Sequence, residues 1–122
     1  MDISVIVPIY NVENYILECL QSVAIQTKTK DVECILVDDC GTDKSVKVAE
    51  QFISAYEGDI SFALLHHPEN KGLSAARNTG IKNARGNYLF FLDSDDMIKP
   101  YCLDELLALA ETYRADMVQG SY

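Results

Sequence analysis

Three carboxylates fall within four positions, at Asp93, Asp95 and Asp96, directly after the apolar run 90–92. The chain has 19 acidic and 10 basic side chains, so its net charge of −9 supplies no surplus of cations to offset them. Neighbouring carboxylates raise each other's pKa unless a positive group lies between them. Oxygen ligands suit Mg²⁺ or Mn²⁺, which take one or two protein carboxylates and complete their shells with water and phosphate. The three acids are therefore predicted to bind a divalent metal; the alternative is that they cap the following turn or lie solvated.

A second acidic pair, Asp38 and Asp39, follows the apolar run 32–37. A carboxylate at the end of a strand can accept hydrogen bonds from a nucleobase N–H or a ribose hydroxyl. The pair also suits a simple turn, because Asp and Gly favour turns. Asp39 is the better candidate for ligand contact, whereas Asp43 is interpreted as a structural residue at the N-cap or in the first turn of the next helix.

The segment 70–80, NKGLSAARNTG, is rich in small residues and carries two cations. Small residues let a helix start approach a ligand closely, and the free N–H groups there favour anions. Arg77 is predicted to pair with Asp38 or Asp39, or with a phosphate group. Lys71 is the more exposed cation and can reach a base or phosphate, or remain solvated.

The histidines and cysteines give no metal-binding pattern. His66 and His67 lack the spacing of metal ligands and an evident partner, so a structural role is predicted for both. The cysteines show no C-x-x-C spacing, so reduced and mostly buried thiols are expected. They are Cys19, Cys34, Cys40 and Cys102.

Alternating strands and helices position these residues. Apolar runs and helical periodicity predict strands over 3–9, 32–37, 60–65 and 87–92, helices over 12–27, 44–56, 74–84 and from 100, and a fifth extended segment over 116–120. Asn11 or Asn14 is expected to cap the first helix. This order predicts an α/β fold with a doubly wound, mostly parallel sheet. Ligands of such sheets bind at the carboxyl ends of the strands, where the strand order reverses.

Length and composition restrict the class of protein. With 122 residues and 48% hydrophobic residues, the chain is expected to form one domain. Because an extended segment is still under way at Tyr122, residues 1–122 are expected to be part of a longer domain. The negative charge disfavours nucleic-acid binding. The apolar runs are shorter than the ~20 residues of a membrane span, and no leader pattern opens the chain, so a cytoplasmic location is expected.

Four motifs occur in a familiar order: PIYN at 8–11, VDDCGTD at 37–43, NKGLSAARNTG at 70–80 and FLDSDD at 91–96. Together they resemble the nucleotide-sugar-binding part of family-two inverting glycosyltransferases, which have the Rossmann-like A-type glycosyltransferase fold. The resemblance covers nearly the whole chain. It implies that the nucleotide sugar is bordered by Pro8, Tyr10 and Glu13, that its base or ribose is held by Asp39 with Lys71 alongside, and that the sugar nucleotide and its metal contact Asp93, Asp95 and Asp96. Arg77 and Ser94 are counted with the donor-binding residues.

The resemblance implies transfer of a sugar from a nucleotide-diphosphate sugar, with UDP the expected nucleotide, to a hydroxyl of a glycan or glycolipid. Inversion at the anomeric carbon and use of Mg²⁺ or Mn²⁺ are implied as well. Such enzymes serve polysaccharide or glycolipid synthesis, often at the inner face of a membrane through later segments. The segment 38–43 departs from the family's more usual DDGSTD, and the catalytic base is expected beyond Tyr122. The motifs do not select the sugar, the acceptor or an oligomeric state.

Two alternatives remain open from the residues. A non-catalytic module that binds a nucleotide sugar would suit the short chain. A phosphatase of the haloacid-dehalogenase type would use Asp93 and Asp95 as nucleophile and acid, but it typically has this motif on an early strand, with Thr or Val where Met97 stands. A dinucleotide oxidoreductase is disfavoured because no G-x-G-x-x-G follows the first strand.

Overall fold

The computed structural model describes residues 2–26, 31–100 and 102–113. Its elements are β1 (Ile3–Ile9), α1 (Ile16–Ala24), β2 (Val32–Asp38), α2 (Ser45–Ala55), β3 (Ser61–His66), α3 (Leu73–Asn83), β4 (Tyr88–Phe91) and α4 (Cys102–Tyr113). The predicted order of strands and helices is confirmed, and α1 begins four residues later than expected. The extended segment predicted over 116–120 lies outside the described residues.

The four described strands form one parallel sheet in the order β3-β2-β1-β4. The order reverses between β1 and β4, because β2 and β3 extend the sheet on one side of β1 and β4 on the other. The predicted doubly wound sheet is therefore confirmed. Ile9 pairs in register with Asp38, and Asp38 with His66, so the carboxyl ends of three strands lie side by side.

Helices cover both faces of the sheet. On one face, α1, α2 and α4 share an apolar cluster with alternate residues of β1 and β2, such as Val5 and Cys34. On the other face, Ala76 of α3 packs with Ile35 and Val37 of β2. The central strands β1 and β2 are buried along their whole length, which explains their nearly continuous apolar runs. None of the helices in the described part of the chain is both long and apolar enough to span a bilayer.

Pro8 lies inside β1, although the apolar run suggests that it ends the strand. The backbone groups of successive β1 residues point alternately toward β2 and toward β4. The Ile9 carbonyl accepts from the Asp39 N–H on the β2 side, and the Ile6 carbonyl accepts from the Leu92 N–H on the β4 side. The backbone nitrogen of Pro8 therefore faces β4, just past Ile6 and Phe91, the last pair of residues that β1 and β4 share. A proline has no N–H to donate, so it fits the point where pairing stops. The gap between β1 and β4 opens there.

Three of the four cysteines are buried, as the sequence predicts, and all four are free thiols. The Sγ atom of Cys19 lies 3.8 Å from the carbonyl oxygen of Asp93. Burial, and then the charges of the nearby aspartates, raise the pKa of Cys19 to about 12. Cys19 is therefore an inert packing residue beneath the acidic turn.

A buried polar network lies at the opposite end of the sheet. Glu33 is 4% exposed, and its Oε2 accepts hydrogen bonds from Ser4 Oγ and from the Arg85 backbone N–H, both at 2.6 Å. The Arg85 guanidinium donates to Oε1, and Gly86 N–H donates to Ser4 Oγ. Burial disfavours the charge of Glu33, but these hydrogen bonds outweigh it and hold the pKa of that carboxyl below its ordinary value. The network fastens the α3–β4 connection to the first two strands.

The Glu33→Gln variant is expected to lower the free energy of unfolding by about 2–3 kcal/mol at pH 7. The NH₂ group of Gln would face groups that themselves donate hydrogen bonds to the Glu33 carboxylate. Because the pKa of Glu33 is lowered in the folded state, its contribution to the free energy of unfolding is fully present above the ordinary Glu pKa of about 4.3. The contribution is lost as the pH falls through the lower pKa of the folded state. Urea unfolding followed by circular dichroism at pH 7 and at pH 3 measures both effects. Glu50→Gln, the same change on an exposed face of α2, should stay within about 0.5 kcal/mol. Equal stability of Glu33→Gln and the unsubstituted chain at pH 7 would contradict this role.

Candidate functional site

The acidic residues after β4 form a compact turn. Leu92 is fully buried and donates its N–H to the Ile6 carbonyl at 3.0 Å, which anchors the start of the turn. The turn closes through Asp96 N–H and the Asp93 carbonyl at 2.9 Å. One carboxylate oxygen from each of Asp93, Asp95 and Asp96 lies within 4.8 Å of the others. The predicted metal ligands are therefore brought together at the carboxyl edge of the sheet.

Repulsion within this turn is visible in its electrostatics. Partial burial, and then the charges of Asp95 and Asp93, raise the pKa of Asp96 above its ordinary value. A bound cation would reverse the sign of this effect, because opposite charge favours the ionised carboxylate. Hard carboxylate oxygens are the ligands that Mg²⁺ and Mn²⁺ prefer, so this group of three could hold such an ion.

Arg77 of α3 donates from Nη2 to Asp93 Oδ1 at 3.2 Å. The predicted pairing with Asp38 or Asp39 is wrong, while the alternative pairing with a phosphate group stays a prediction. Asp39 is buried under the loop that precedes α3, and Asp38 is paired with His66. The guanidinium instead reaches the neighbouring acidic turn, where both partners stay partly exposed. Arg77 therefore places a positive charge beside the three acids.

Asp39 is buried, with only 4% of the residue exposed. Its Oδ1 accepts hydrogen bonds from His67 Nδ1 and from the Lys71 backbone N–H, both at 2.8 Å. Its Oδ2 accepts from the Gly72 N–H at 2.9 Å. Burial opposes ionisation, but these hydrogen bonds outweigh it and lower the pKa of Asp39. Gly72 has φ 94°, a conformation that glycine adopts without strain and that begins α3 at this point.

The two histidines have partners that sequence reasoning missed. His67 is buried, and its Nε2 lies 2.7 Å from Thr79 Oγ1 of α3. His66 is more exposed, and its Nδ1 lies 3.1 Å from Asp38 Oδ2. These partners were not evident from the sequence, and the contacts are compatible with the predicted structural role of both histidines. Strand pairing was the available signal, because the two histidines at the end of β3 and the two aspartates at the end of β2 meet if these strands pair in parallel.

Asn11 links the loops that follow β1 and β2. It has φ 52°, and its Oδ1 accepts a hydrogen bond from the Thr42 N–H at 2.8 Å. The expectation that Asn11 or Asn14 caps α1 is wrong, because Tyr15 occupies the N-cap position. The side chain of Asn11 instead holds two parts of the rim together.

Asp43 makes a second link between the same loops. Its Oδ1 accepts from the Ser45 N–H at 2.9 Å, although Lys44, and not Asp43, occupies the N-cap position of α2. Its Oδ2 accepts from the Glu13 N–H at 3.0 Å, and Ser45 Oγ accepts from the Val12 N–H at 2.7 Å. Burial acts against the charge, but the hydrogen bonds from Ser45 and Glu13 lower the pKa of Asp43. The loop that contains Glu13 is thus fixed to the start of α2.

The other predicted site residues differ in exposure. Tyr10 is 48% exposed at the end of β1, and Lys71 is exposed in the loop before α3. Pro8 and Ser94 are buried, Ser94 with 6% exposure between two exposed aspartates. The rim therefore offers an aromatic ring and a cation to solvent, whereas Pro8 and Ser94 are largely shielded from it.

A family model described as glycosyl transferase family 2 matches residues 4–122. Glycosyltransferase GlyA of Streptococcus pneumoniae is 43% identical over 121 residues, which cover 98% of this chain and 16% of GlyA. The uncharacterized glycosyltransferase EpsJ of Bacillus subtilis is 43% identical over 116 residues, which cover 95% of this chain and 32% of EpsJ. The chain thus spans less than a third of the length of these two relatives.

Solved structures show the same fold. S. aureus TarS 1-349 in complex with UDP-GlcNAc has a TM-score of 0.84 and 34% identity, over 93% of this chain and 32% of that one. The mannosyltransferase PcManGT from Pyrobaculum calidifontis, in complex with GDP-Man and Mn²⁺, has a TM-score of 0.73 and 28% identity, over 78% of this chain and 28% of that one. The predicted Rossmann-like, A-type glycosyltransferase fold is confirmed.

Proposed function

The chain belongs to glycosyl transferase family 2, and we propose that it binds a nucleotide-diphosphate sugar as the donor in sugar transfer to an acceptor hydroxyl. The observation that carries the proposal is the group of three carboxylates, within 4.8 Å of one another, at the edge where the strand order reverses. Ligands of open parallel sheets bind at this position. UDP is the proposed nucleotide, because TarS, which shares this fold, was solved with UDP-GlcNAc.

We propose Asp93, Asp95 and Asp96 as the residues that hold Mg²⁺ or Mn²⁺, as the Mn²⁺ in the PcManGT complex supports. When bound, such an ion neutralises charge on the diphosphate leaving group. Arg77, already paired with Asp93, adds a second positive charge on the same side. The acidic turn and Arg77 together would hold the diphosphate.

Asp39 is the proposed contact for the base or ribose. An ionised carboxylate accepts about four hydrogen bonds, and Asp39 already accepts three. One acceptor position therefore remains for an N–H or O–H of the nucleotide. Pro8, Tyr10, Glu13, Lys71 and Ser94 complete the proposed donor site.

In the proposed reaction, an acceptor hydroxyl attacks the anomeric carbon opposite the diphosphate. The new C–O bond forms as the bond to the diphosphate breaks, configuration inverts, and the hydroxyl proton passes to a carboxylate. We assign no residue of 1–122 to that base and propose this chain as the donor-binding part of one domain. The proposed setting is polysaccharide or glycolipid synthesis in the cytoplasm or at the inner face of a membrane, with a glycan or glycolipid as acceptor.

Calorimetric titration of UDP tests the proposal, with Mn²⁺ in one series and EDTA in the other. We expect binding at least about 100-fold tighter with Mn²⁺, a difference of ~2.7 kcal/mol or more. ADP serves as the matched ligand, because it has the same diphosphate and a different base. UDP binding of equal strength with and without the metal would contradict the metal assignment. If UDP binds neither with Mn²⁺ nor with EDTA, the proposed donor site itself is contradicted.

The Arg77→Ala variant is expected to weaken UDP binding about tenfold in Mn²⁺, because it removes a cation beside the proposed diphosphate site. Its free energy of unfolding should change by less than about 1 kcal/mol, since the Arg77–Asp93 pair is partly exposed. Uridine, which has no phosphate, should bind both proteins equally. Arg85→Ala removes an arginine at the far end of the sheet and should leave UDP affinity unchanged. Equal UDP affinity of Arg77→Ala and the unsubstituted chain would argue against a phosphate contact.

A further inference from the structure

A chain of two hydrogen bonds, one buried and one partly buried, joins α3 to the rim of the site. Thr79 Oγ1 lies 2.7 Å from His67 Nε2, and His67 Nδ1 lies 2.8 Å from Asp39 Oδ1. The residues His67 and Asp39 are 8% and 4% exposed. Because an ionised carboxylate only accepts hydrogen bonds, Nδ1 of His67 must carry the proton between them. The hydroxyl of Thr79 then fixes the orientation of the imidazole ring from the other side.

The same carboxylate holds the loop that begins α3. Asp39 accepts from the backbone N–H groups of Lys71 and Gly72 at 2.8 and 2.9 Å. The loop is thus attached to β2 through Asp39, while Thr79 lies on the helix that follows the loop. His67 closes this ring of contacts, because it is the residue that contacts both Asp39 and Thr79. Rotation of the His67 ring would release the Asp39 carboxylate from one of its three donors.

We propose that His67 and Thr79 are positioning residues of the donor site, which fix the plane of the Asp39 carboxylate and the Lys71–Gly72 backbone before the nucleotide binds. This inference rests on the proposed function, in which Asp39 contacts the nucleotide. A preformed carboxylate binds more tightly because less ordering remains to be done on binding. Groups that orient metal-binding side chains change affinity by about 10–100-fold when removed, and we expect an effect of the same order at Asp39.

Three substitutions in the 122-residue chain separate the two contacts of His67. The amide of Asn can take the place of Nδ1 and keep the hydrogen bond to Asp39, whereas the amide of Gln takes the place of Nε2 and keeps only Thr79. We expect His67→Asn to bind UDP in Mn²⁺ within about threefold of the unsubstituted chain and His67→Gln at least about tenfold more weakly. The UDP affinity of Thr79→Val, which keeps the shape of the side chain, should lie between those of His67→Asn and His67→Gln.

Backbone amide hydrogen exchange measures the loop without any ligand. In His67→Gln, exchange of the Lys71 and Gly72 amides should be at least about tenfold faster, with smaller changes in His67→Asn. Glu33→Gln serves as the stability control, because it weakens the fold at the opposite end of the sheet. It should leave both UDP affinity and the exchange of these two amides unchanged at a temperature where the chain is folded.

The outcomes are distinct. Equal UDP affinity and equal loop exchange in His67→Gln and the unsubstituted chain would overturn this inference alone. The same losses in His67→Asn, His67→Gln and Glu33→Gln would show a general effect of stability and would overturn it as well. If the unsubstituted chain fails to bind UDP, the proposed function falls, and the positioning role falls with it. Nearly unchanged UDP binding in His67→Asn, together with weak UDP binding in His67→Gln, supports the positioning role.

Discussion

The Asp95→Ala variant should bind UDP about 100-fold more weakly than the unsubstituted chain in Mn²⁺, a loss of ~2.7 kcal/mol. Asp95 is exposed, and its carboxylate is one of the three that lie within 4.8 Å of one another. Its removal takes away one metal ligand and one of the charges that attract the ion. Calorimetry of UDP in Mn²⁺ and in EDTA measures the effect, which should vanish in EDTA.

The fold should tolerate this change. Because Asp95 is repelled by Asp93 and Asp96, its loss should change the free energy of unfolding by less than about 0.5 kcal/mol. Asp95→Asn keeps the shape of the side chain and one oxygen ligand, so its UDP affinity in Mn²⁺ should lie between those of Asp95→Ala and the unsubstituted chain. Glu50→Ala, which removes an exposed acid on α2, should leave UDP affinity unchanged. A Mn²⁺ dependence that is the same in Asp95→Ala as in the unsubstituted chain would show that the metal is bound elsewhere.

Asp39→Asn should be the most damaging single change at the rim. Three donors converge on the Asp39 carboxylate, and the amide of Asn places a donor against at least one of them. We expect the free energy of unfolding at pH 7 to fall by about 2–3 kcal/mol and UDP affinity to fall at least about tenfold. Urea unfolding and calorimetry measure the two effects.

The pH dependence of Asp39→Asn has a defined sign. Since the pKa of Asp39 is lowered, its contribution to stability is fully present above the ordinary Asp value of about 3.9 and disappears as the pH falls through the lower folded value. The stability difference between variant and unsubstituted chain should therefore shrink below about pH 4. Asp38→Asn is the matched change, because Asp38 accepts at longer distances of 3.1 and 3.3 Å, and it should cost about 1 kcal/mol. An equal loss in both variants would contradict the special position of Asp39.

The fold could be predicted because its signals are local. Continuous apolar runs indicate strands buried on both faces, and helical periodicity indicates the helices between them. The acidic turn could be predicted for the same reason, since Asp93, Asp95 and Asp96 are neighbours in sequence and directly follow a strand. Their proximity needs only a turn, which Asp96 N–H and the Asp93 carbonyl close.

The contacts that could not be predicted depend on which strands are neighbours. Arg77 pairs with Asp93 rather than Asp39 because β4, not β2, presents free carboxylates to that end of α3. His67 meets Asp39 because β2 and β3 pair in parallel with Asp38 opposite His66. Neither the strand order nor this register is visible in local periodicity. Pro8 illustrates the same limit, because its place inside β1 follows from where β4 stops pairing.

Above all, we propose that a divalent metal binds at the acidic turn and brings the nucleotide diphosphate there. Paramagnetic broadening by Mn²⁺ in amide NMR spectra of the ¹⁵N-labelled chain tests it most directly, because broadening falls off steeply with distance from the ion. With substoichiometric Mn²⁺ and UDP, the amide signals of residues 93–96 and of Arg77 should broaden first. Those of Arg85 and Gly86, at the opposite end of the sheet, should stay sharp. Broadening centred on any other part of the chain, with sharp signals at 93–96 while UDP is bound, would contradict the claim.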